Sequence, residues 1–405
     1  MPENETLAYR RFSLAERDRR WAEVRQRMAR DGIEVIVAPP NNGNSTDWQA
    51  DARYLSHCGG GADASIGCVF PLDAEPTVVA TSAVRWGPKV QDWVRDVREA
   101  NRAYGTVIAE RLSELNADGV RIGICGLSGG TRTPEGTILH GTYDAIVKAV
   151  PHAEIVNASD LLQEVRCAKS GEEIEALQES VDLVERAYEA EVEWAGKPGV
   201  RDYEVWAAAM NAMFSGGSEL SVHFNWVASQ VITRTMTRPE TRQLEDGDII
   251  VNELESSING YRAQQTRPVA VRTCAPIYLE LMKFHGELYD RLLEFIRPGV
   301  TLLDTIERVK VLGREICPST GPLAGGGARM VCHGRGLGDD VPLATNDDAV
   351  KRFGAWRFPE DGVFIIKPTV HAGDRTSLGW GDTCRVTPSG TVRMGKAPHE
   401  MLIAG

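Results

Sequence analysis

Residues 248–271 read DIIVNELESSINGYRAQQTRPVAV, and this stretch says more about the fold than any other. DIIVNELE is strand-like, GYRAQQTRPVAV is a returning strand, and Glu-Asp-Gly at 245–247 leads into the pair. A second Glu-Asp-Gly, at 360–362, leads into the strand-like VFIIKPTV at 363–370. The two similar approaches indicate an internal repeat.

Helices precede each of these strands in the same order. A helix ends at Lys-Pro-Gly-Val (197–200) and is followed by VWAAAMNAMF, and another ends at Arg-Pro-Gly-Val (297–300) and is followed by TLLDTIERVKVLGRE. A duplicated unit of two helices and a sheet is expected to fold into two facing halves, with a site in the crevice between them.

The chain of 405 residues is long enough for two domains. Residues 1–165 alternate helical and strand patterns, as in RRWAEVRQRMARDG followed by IEVIVAPP, and predict an α/β domain. Ser170 and Glu173 then form a capping box before a long amphipathic helix. We predict a second, α+β domain over residues 166–405.

Composition excludes several functional classes. Acidic residues outnumber basic ones by 57 to 45, a formal charge of -12, and no basic cluster suits nucleic acid. The eight cysteines form no C-x-x-C pair, which favours reduced thiols in the cytosol. Neither a signal-peptide core nor a long apolar stretch is present, so we expect a cytoplasmic protein with no membrane partner.

Candidate catalytic groups lie on both repeats. Glu253 and Glu255 lie two residues apart and share one face of a strand. We expect Glu253 to be buried and to need a partner, and Glu255, near a turn, to face solvent. His333 lies among glycines in HGRGLG (333–338), which implies close backbone approach, and Lys367 leaves an otherwise apolar strand.

These motifs, with GDTCRVTPSG at 381–390, resemble the second domain of the creatinase and aminopeptidase P family, whose fold is called pita-bread. RYLSH at 53–57 lies where that family's N-terminal domain starts a strand, and VRCAKSGEEIEAL at 165–177 lies at its domain junction. The resemblance spans essentially the whole chain. It implies a creatinase-like N-terminal α/β domain and a pita-bread α+β domain with a pseudo-twofold repeat.

The resemblance also implies which positions would hold metal. Metallopeptidase members bind two metal ions through two aspartates, a histidine and two glutamates, and those positions here are Glu253, Gln264, His333, Lys367 and Gly381. A lysine beside a dication is repulsive, and divalent ions need several anionic or imidazole ligands. We therefore predict no metal and no cofactor, with the Lys367 ammonium paired to Glu253 instead.

Metal-free members of the resembled family, creatinase and the ectoine hydrolases, cleave C–N bonds. We therefore expect a metal-independent hydrolase of an amide, amidine or urea bond in a small polar substrate. Glu253 would act as nucleophile or general base, His333 as proton shuttle and Lys367 as stabiliser of a developing anion. Creatinase's mechanism does not transfer as a whole, because its catalytic histidine falls at Met236 and one of its glutamates at Thr266.

The predicted substrate-binding residues are Arg335, Asp340, Gln264, Asp63 and Trp380. The fixed fork of Arg335 suits a substrate carboxylate, and Asp340 is expected to orient His333. Trp380 suits core packing as well as a crevice contact. Family dimers often complete the site with the partner's N-terminal domain, so we expect a homodimer in which the loop 58–65, with Asp63, reaches the partner's substrate.

Three alternatives to the C–N hydrolase stay open. The family includes a lyase that acts on a small sulfonium substrate, Xaa-Pro aminopeptidases, and proteins that have lost catalysis and bind peptides or histones. The retained set of Glu253, His333, Arg335 and Lys367 favours an enzyme over a binding module.

Overall fold

The computed structural model describes residues 11–40, 49–59, 65–86, 90–128, 133, 135–220, 224–232, 236–345 and 347–405. By its contacts the chain forms two compact units: Met1–Glu172 with Leu337–Val341, and Glu173–Gly336 with Pro342–Gly405. The contact boundary thus follows Glu172, whereas the sequence places a boundary after residue 165. None of the helices in the described ranges is long and apolar enough to span a membrane.

The first unit is built on a mixed six-stranded sheet of order β4-β3-β2-β1-β5-β6. Its strands are β1 Val35–Ala38, β2 Ile66–Pro71, β3 Thr77–Ala80, β4 Asp96–Glu99, β5 Arg121–Ile124 and β6 Glu154–Asn157. Its helices are α1 Leu14–Asp31, α2 Ala50–Ser56, α3 Tyr104–Glu114, α4 His140–Ala149 and α5 Ser159–Cys167, with a 3-10 turn at Ala83–Trp86. The apolar run IEVIVAPP supplies β1, as expected, and side chains of β1, β2, β3 and β5 form a buried core with α3.

Local signals at helix ends explain part of this unit. Ser13 accepts a hydrogen bond from the backbone N–H of Glu16 and caps the start of α1, and Gly32, at φ 67°, ends that helix in the left-handed conformation. The expectation that RYLSH starts a strand is wrong, because most of this segment lies in α2.

The second unit contains α6 Gly171–Ala195, which begins just before the contact boundary, α7 Asp202–Ser215, α8 Pro276–Phe295, α9 Leu302–Ile316 and α10 Asp347–Phe353. Its first sheet is β7 Phe224–Ser229, β8 Ile249–Ile258, β9 Tyr261–Gln265, β10 Val269–Val271 and β19 Leu402–Ala404. Its second is β12 Cys332–Gly334, β13 Leu343–Ala344, β14 Val363–Ile366, β17 Asp382–Thr387 and β18 Gly390–Arg393. A small third sheet is β11 Gly327–Arg329, β15 Thr369–His371 and β16 Ser377–Gly379.

The predicted repeat of elements is present in this unit. Helices α6 and α7 flank one Pro-Gly joint and α8 and α9 flank the other, and both pairs are followed by sheet strands. Gly199 and Gly299 have φ of 71° and 88°, a left-handed conformation that disfavours other residues at each joint. The two-domain α/β class with a repeated second domain is confirmed.

Candidate active site

The site is built where two sheet faces of the second unit meet. In the second sheet His333 lies opposite Ile365, and the pairing continues because the Lys367 N–H donates to the carbonyl of Val331 at 3.0 Å. Side chains two apart on a strand, and those directly opposite in a pair, point to the same face. His333, Arg335 and Lys367 therefore share one face of the sheet.

The first sheet presents two carboxylates toward that face. Glu253 and Glu255 alternate with Leu254 on β8, and Glu255 lies opposite Gln264 on β9. Thr266 at the end of β9 and Gly381 before β17 exchange both backbone hydrogen bonds, at 3.0 and 2.9 Å. This bridge links the two sheets beside the carboxylates.

Lys367 and Glu253 form an ion pair, as predicted. The Lys367 ammonium also donates to Gln264 Oε1 at 3.3 Å, and Asn225 donates to Glu253 Oε2 at 2.6 Å. The two charged side chains are only 10% and 12% exposed. A carboxylate held by two donors in a nearly closed site has a fixed orientation, which suits a group that must act on one substrate atom.

A second, fully buried ion pair joins the same faces. Arg335 lies 2.9 Å from Glu255, and Arg262 lies 3.9 Å from the other carboxylate oxygen. The expectation that Glu255 faces solvent is wrong, because alternation places it on the same packed face as Glu253. The predicted substrate contact of Arg335 is also corrected: its guanidinium is completely buried and neutralises Glu255.

Gln264 is fully buried beneath Lys367. Its side-chain oxygen accepts from the ammonium, while its Nε2 has no hydrogen-bond partner among the described residues. Its backbone is held by Thr383, whose hydroxyl accepts from the Gln264 N–H at 3.0 Å. Gln264 therefore contacts Lys367, and its part in substrate binding stays a prediction.

His333 is 1% exposed, and its Nδ1 lies 3.3 Å from the carbonyl of Gly334. Because a carbonyl can only accept, this contact favours a proton on Nδ1. Burial raises the pKa of the Cys332 thiol, so the thiol next to His333 in the sequence stays protonated.

A cavity of about 130 Å³ opens onto the Glu253–Lys367 pair. Its other lining residues in the described part of the chain are Ile232, Met236, Val251, Thr266, Arg329, Val331, Thr369, Ser377 and Gly379. Arg329 is an exposed cation that sequence reasoning missed. The available signal was its position on the glycine-rich approach, four residues before His333.

The backbone around Lys367 is held from behind by α8. His285 Nε2 donates to the carbonyl of Pro368 at 2.8 Å, and the Tyr289 hydroxyl donates to that of Ile366 at 3.0 Å. The two side chains lie four residues apart and so project from one helix face. They fix the peptide group that precedes Lys367 and the one that follows Pro368.

The opposite face of β8 is also anchored by buried polar groups. Asn252, next to Glu253, donates to Glu191 at 2.8 Å and accepts from the Tyr188 hydroxyl at 2.6 Å. Complete burial raises the pKa of Glu191 well above its usual value. Burial therefore favours the neutral form of Glu191, and its contact with Asn252 anchors the strand behind the site.

Trp380 is fully buried in an aromatic cluster, which corrects its predicted substrate contact. Its ring stacks on His399 with centroids 4.0 Å apart and meets Tyr289 edge-on at 5.2 Å. Trp226 is equally buried, and its indole N–H donates to Asp202 at 2.6 Å. Both tryptophans belong to the core.

Asp340 belongs to the first unit by its contacts. Its carboxylate lies 3.0 Å from Arg166 and 3.3 Å from Lys169, and all three side chains are buried. Arg166 also pairs with Asp51. Two cations thus engage the carboxylate expected to orient His333, and that prediction is replaced by a structural role. Asp63 lies outside the described residues.

The side chains at the positions implied for metal do not suit a dinuclear centre. No group of three or more His, Cys, Asp or Glu side chains in the described ranges is arranged to hold a metal ion. An ammonium lies against Glu253. At Gly381 a Cβ would lie 2.7 Å from Lys367 Cα, so the backbone there excludes the ligand side chain of the metallopeptidases.

Comparison with known proteins decides the family. Residues 175–388, more than half of the chain, match the family described as metallopeptidase family M24. The chain belongs to metallopeptidase family M24. The predicted family is thereby confirmed.

Two relatives carry the names of different enzymes. Creatinase from Bacillus sp. strain B-0618 is 26% identical over 322 residues, covering 75% of this chain and 72% of the relative. Xaa-Pro dipeptidase from Pyrococcus furiosus is 24% identical over 275 residues, covering 66% and 74%.

Solved M24 structures confirm the pita-bread architecture. An X-Pro aminopeptidase from Thermotoga maritima MSB8 superposes with a TM-score of 0.71 at 17% identity, covering 95% of this chain and 99% of that one. A prolidase from Thermococcus sibiricus gives a TM-score of 0.73 at 14% identity over 95% and 98%. At these identities the likeness concerns the fold alone.

Proposed function

We propose that this M24 chain is a metal-independent hydrolase of a C–N bond, of amide, amidine or urea type, in a small polar substrate. Hydrolysis is the activity that family membership supports. The observation that carries the finer proposal is the Lys367–Glu253 ion pair in the lining of a small cavity. An ammonium there takes up the charge-stabilising task that the metal ions perform in the metallopeptidases.

In the proposed reaction Glu253 is the general base. It accepts a proton from a water molecule, and the resulting hydroxide adds to the carbon of the C–N bond. The Lys367 ammonium stabilises the negative charge that develops on the carbonyl or imine group. The C–N bond then breaks as a proton reaches the leaving nitrogen.

His333 keeps its proposed task as proton shuttle. Its side chain shares the sheet face with Lys367, and the Nδ1–H tautomer favoured by its backbone contact makes Nε2 the basic nitrogen. Arg329 replaces Arg335 as the candidate for an anionic group of the substrate, because it is exposed and lines the cavity.

A second candidate is an Xaa-Pro dipeptidase. Relatives that carry that name, including the one from Pyrococcus furiosus, favour it. This activity needs a metal-loaded site in the metallopeptidases, and the Lys367–Glu253 pair weighs against such a site here. The homodimer completed by Asp63 and the cytoplasmic location are further proposals from the family resemblance.

Turnover by metal-stripped protein tests the proposal. The chain would be treated with a chelator, checked for residual metal by mass spectrometry, and screened for amine or ammonia release from amides, ureas and amidines. We expect activity in the stripped protein and its loss in Glu253→Gln and Lys367→Met. The exposed substitutions Glu193→Gln and Lys283→Met are matched controls that keep it.

The same preparations decide between the two candidates. Cleavage of Xaa-Pro dipeptides that appears only after manganese or cobalt is added, with about two ions bound per chain, would overturn the metal-independent proposal in favour of the dipeptidase.

A further inference from the structure

A second cavity adjoins the one at the Glu253–Lys367 pair. It has a volume of about 610 Å³ and is lined by Val231, Ile232, His371, Asp374, Arg375, Thr376 and Ser377. Ile232 and Ser377 line both cavities, so the two lie side by side. We call them the inner and the outer cavity.

The sizes of the two cavities suggest that each would hold a different part of the substrate. The inner cavity, about 130 Å³, is close to the roughly 150 Å³ that accommodates benzene in an engineered protein site. It therefore has room for a head group of about six non-hydrogen atoms. The outer cavity lies within the range typical of pockets for small molecules, about 300–1,000 Å³. A larger substrate would place its reacting group inside and its remainder outside.

Arg375 is the distinctive residue of the outer cavity. It lies in the tight turn between β15 and β16, where the Ala372 N–H donates to Thr376 O at 2.8 Å and the Arg375 N–H to Ala372 O at 3.0 Å. Its φ of 76° is left-handed, a conformation in which glycine is favoured and arginine is uncommon. Such backbone strain is found preferentially at functional positions.

The Arg375 side chain is exposed and forms no ion pair with any residue that the structure describes. The neighbouring Asp374 is engaged by the turn, because its carboxylate accepts from the Thr376 N–H at 2.8 Å. Hydrogen bonds from the backbone and the side chain of Thr376 hold the pKa of Asp374 below its usual value. The guanidinium is thus the available charged donor at this wall of the outer cavity.

We propose that the outer cavity binds an anionic extension of the substrate and that Arg375 holds its carboxylate. The substrate class is then an amide-type compound with a compact reacting head and a carboxylate-bearing tail. The location of the head rests on the proposed function, whereas the binding of the tail is a property of the outer cavity itself.

A series of carboxylate ligands of increasing length tests whether the outer cavity binds an anionic tail. Calorimetry would compare acetamidoacetate, 4-acetamidobutanoate and 6-acetamidohexanoate with alcohols of the same length that lack the charge. We expect the longer carboxylates to bind about tenfold more tightly than their alcohols, the least that a hydrogen bond to a charged group typically contributes. Arg375→Gly should bring that ratio close to one, and Arg375→Lys should restore part of it.

Measurements of stability show whether Arg375 serves ligand binding or the folded structure. Glycine suits a left-handed turn position, so Arg375→Gly should leave the urea midpoint unchanged or raise it while the carboxylate preference is lost. Arg329→Gln removes the cation of the inner cavity and should affect only the shortest carboxylate. Lys283→Gln, on the exposed surface of α8, is the control and should leave the preference at every length unchanged.

Three results would overturn the proposal: no preference for any carboxylate by the unsubstituted chain, an unchanged preference in Arg375→Gly, or loss of the preference for every length in Arg329→Gln alone. Failure of the proposed reaction would look different. In that case Glu253→Gln would keep its turnover of a substrate, while the carboxylate preference would still depend on Arg375.

Discussion

The backbone of Gly381 packs directly against Lys367. A Cβ built on Gly381 would approach Lys367 Cα to 2.7 Å and the carbonyl oxygen of Ile366 to 2.8 Å. Separations under about 3 Å are not tolerated between such atoms, and backbone atoms cannot turn aside as a flexible side chain can. This close approach of the two backbones therefore requires glycine at position 381.

Gly381→Ala should accordingly destabilise the chain. Overpacking costs about 1–3 kcal/mol, and we expect the upper part of that range because the obstacle is backbone. The free energy of unfolding in urea measures the effect. Gly286→Ala, in the middle of α8 with open space at its Cβ, is the matched control and should be neutral or stabilising by up to about 1 kcal/mol. Equal effects of the two substitutions would contradict the packing argument.

The Lys367–Glu253 pair could be predicted from sequence because both residues break an apolar strand pattern. Both also fall at positions where metallopeptidases of the resembled family have metal ligands. The Glu255–Arg335 pair could not be predicted from sequence. Whether Glu255 is buried depends on a second sheet whose residues lie about eighty positions further along the chain, and strand alternation alone does not report that packing.

Two other predictions, the role of Asp340 and the secondary structure of RYLSH, were wrong for a similar reason. Asp340 follows closely after His333 in sequence, yet its segment packs with the first unit through Arg166 and Lys169. RYLSH has strand-like aromatic and apolar residues but lies largely in a short helix, where burial overrides the weak local preference. Tertiary contacts decided both cases.

A double-mutant cycle tests the energetic link between Glu253 and Lys367. Removing one partner of a buried pair costs about 3–5 kcal/mol, and we expect the lower end for Glu253→Gln and Lys367→Met because each side chain is slightly exposed. The double variant should be more stable than the sum of the single losses predicts, by about 0.5–3 kcal/mol. Urea unfolding measures all four proteins.

The exposed pair Glu307–Lys310, about half exposed on α9, is the control for that cycle. Its coupling should be no more than about 1 kcal/mol. If Glu253 and Lys367 prove to be no more strongly coupled than this surface pair, the ion pair does not organise the site.

Arg335 offers a test of structural against binding roles. Arg335→Met leaves Glu255 buried without its nearest cation and should lower the free energy of unfolding by about 3–5 kcal/mol. Adding Glu255→Met should recover most of the loss, because an apolar pair of similar volume can replace a buried ion pair. A single variant that unfolds like the parent but no longer binds carboxylate ligands would instead restore Arg335 to the substrate-binding residues.

The buried histidines predict how stability depends on pH. Burial lowers the pKa of His285 to about 4 and that of His57 to about 3, against an ordinary value of 6.5. Below pH 6.5 the unfolded chain therefore takes up protons that the folded chain does not, so stability falls as the pH falls. Between pH 6.5 and about 4 each histidine contributes a slope of up to about 1.4 kcal/mol per pH unit.

His285→Gln should remove the contribution of one histidine from the pH dependence of the free energy of unfolding. The amide of the introduced glutamine can still donate to the carbonyl of Pro368. His152, fully exposed beside Asp118, is the control. The Asp118 carboxylate raises the pKa of His152, so this residue favours the folded state at low pH, and His152→Gln cannot reduce the loss on acidification. Urea unfolding at pH 7, 6, 5 and 4 measures the three proteins. An unchanged acid slope in His285→Gln would contradict the prediction, because it would mean that the folded chain protonates His285 as readily as the unfolded chain does.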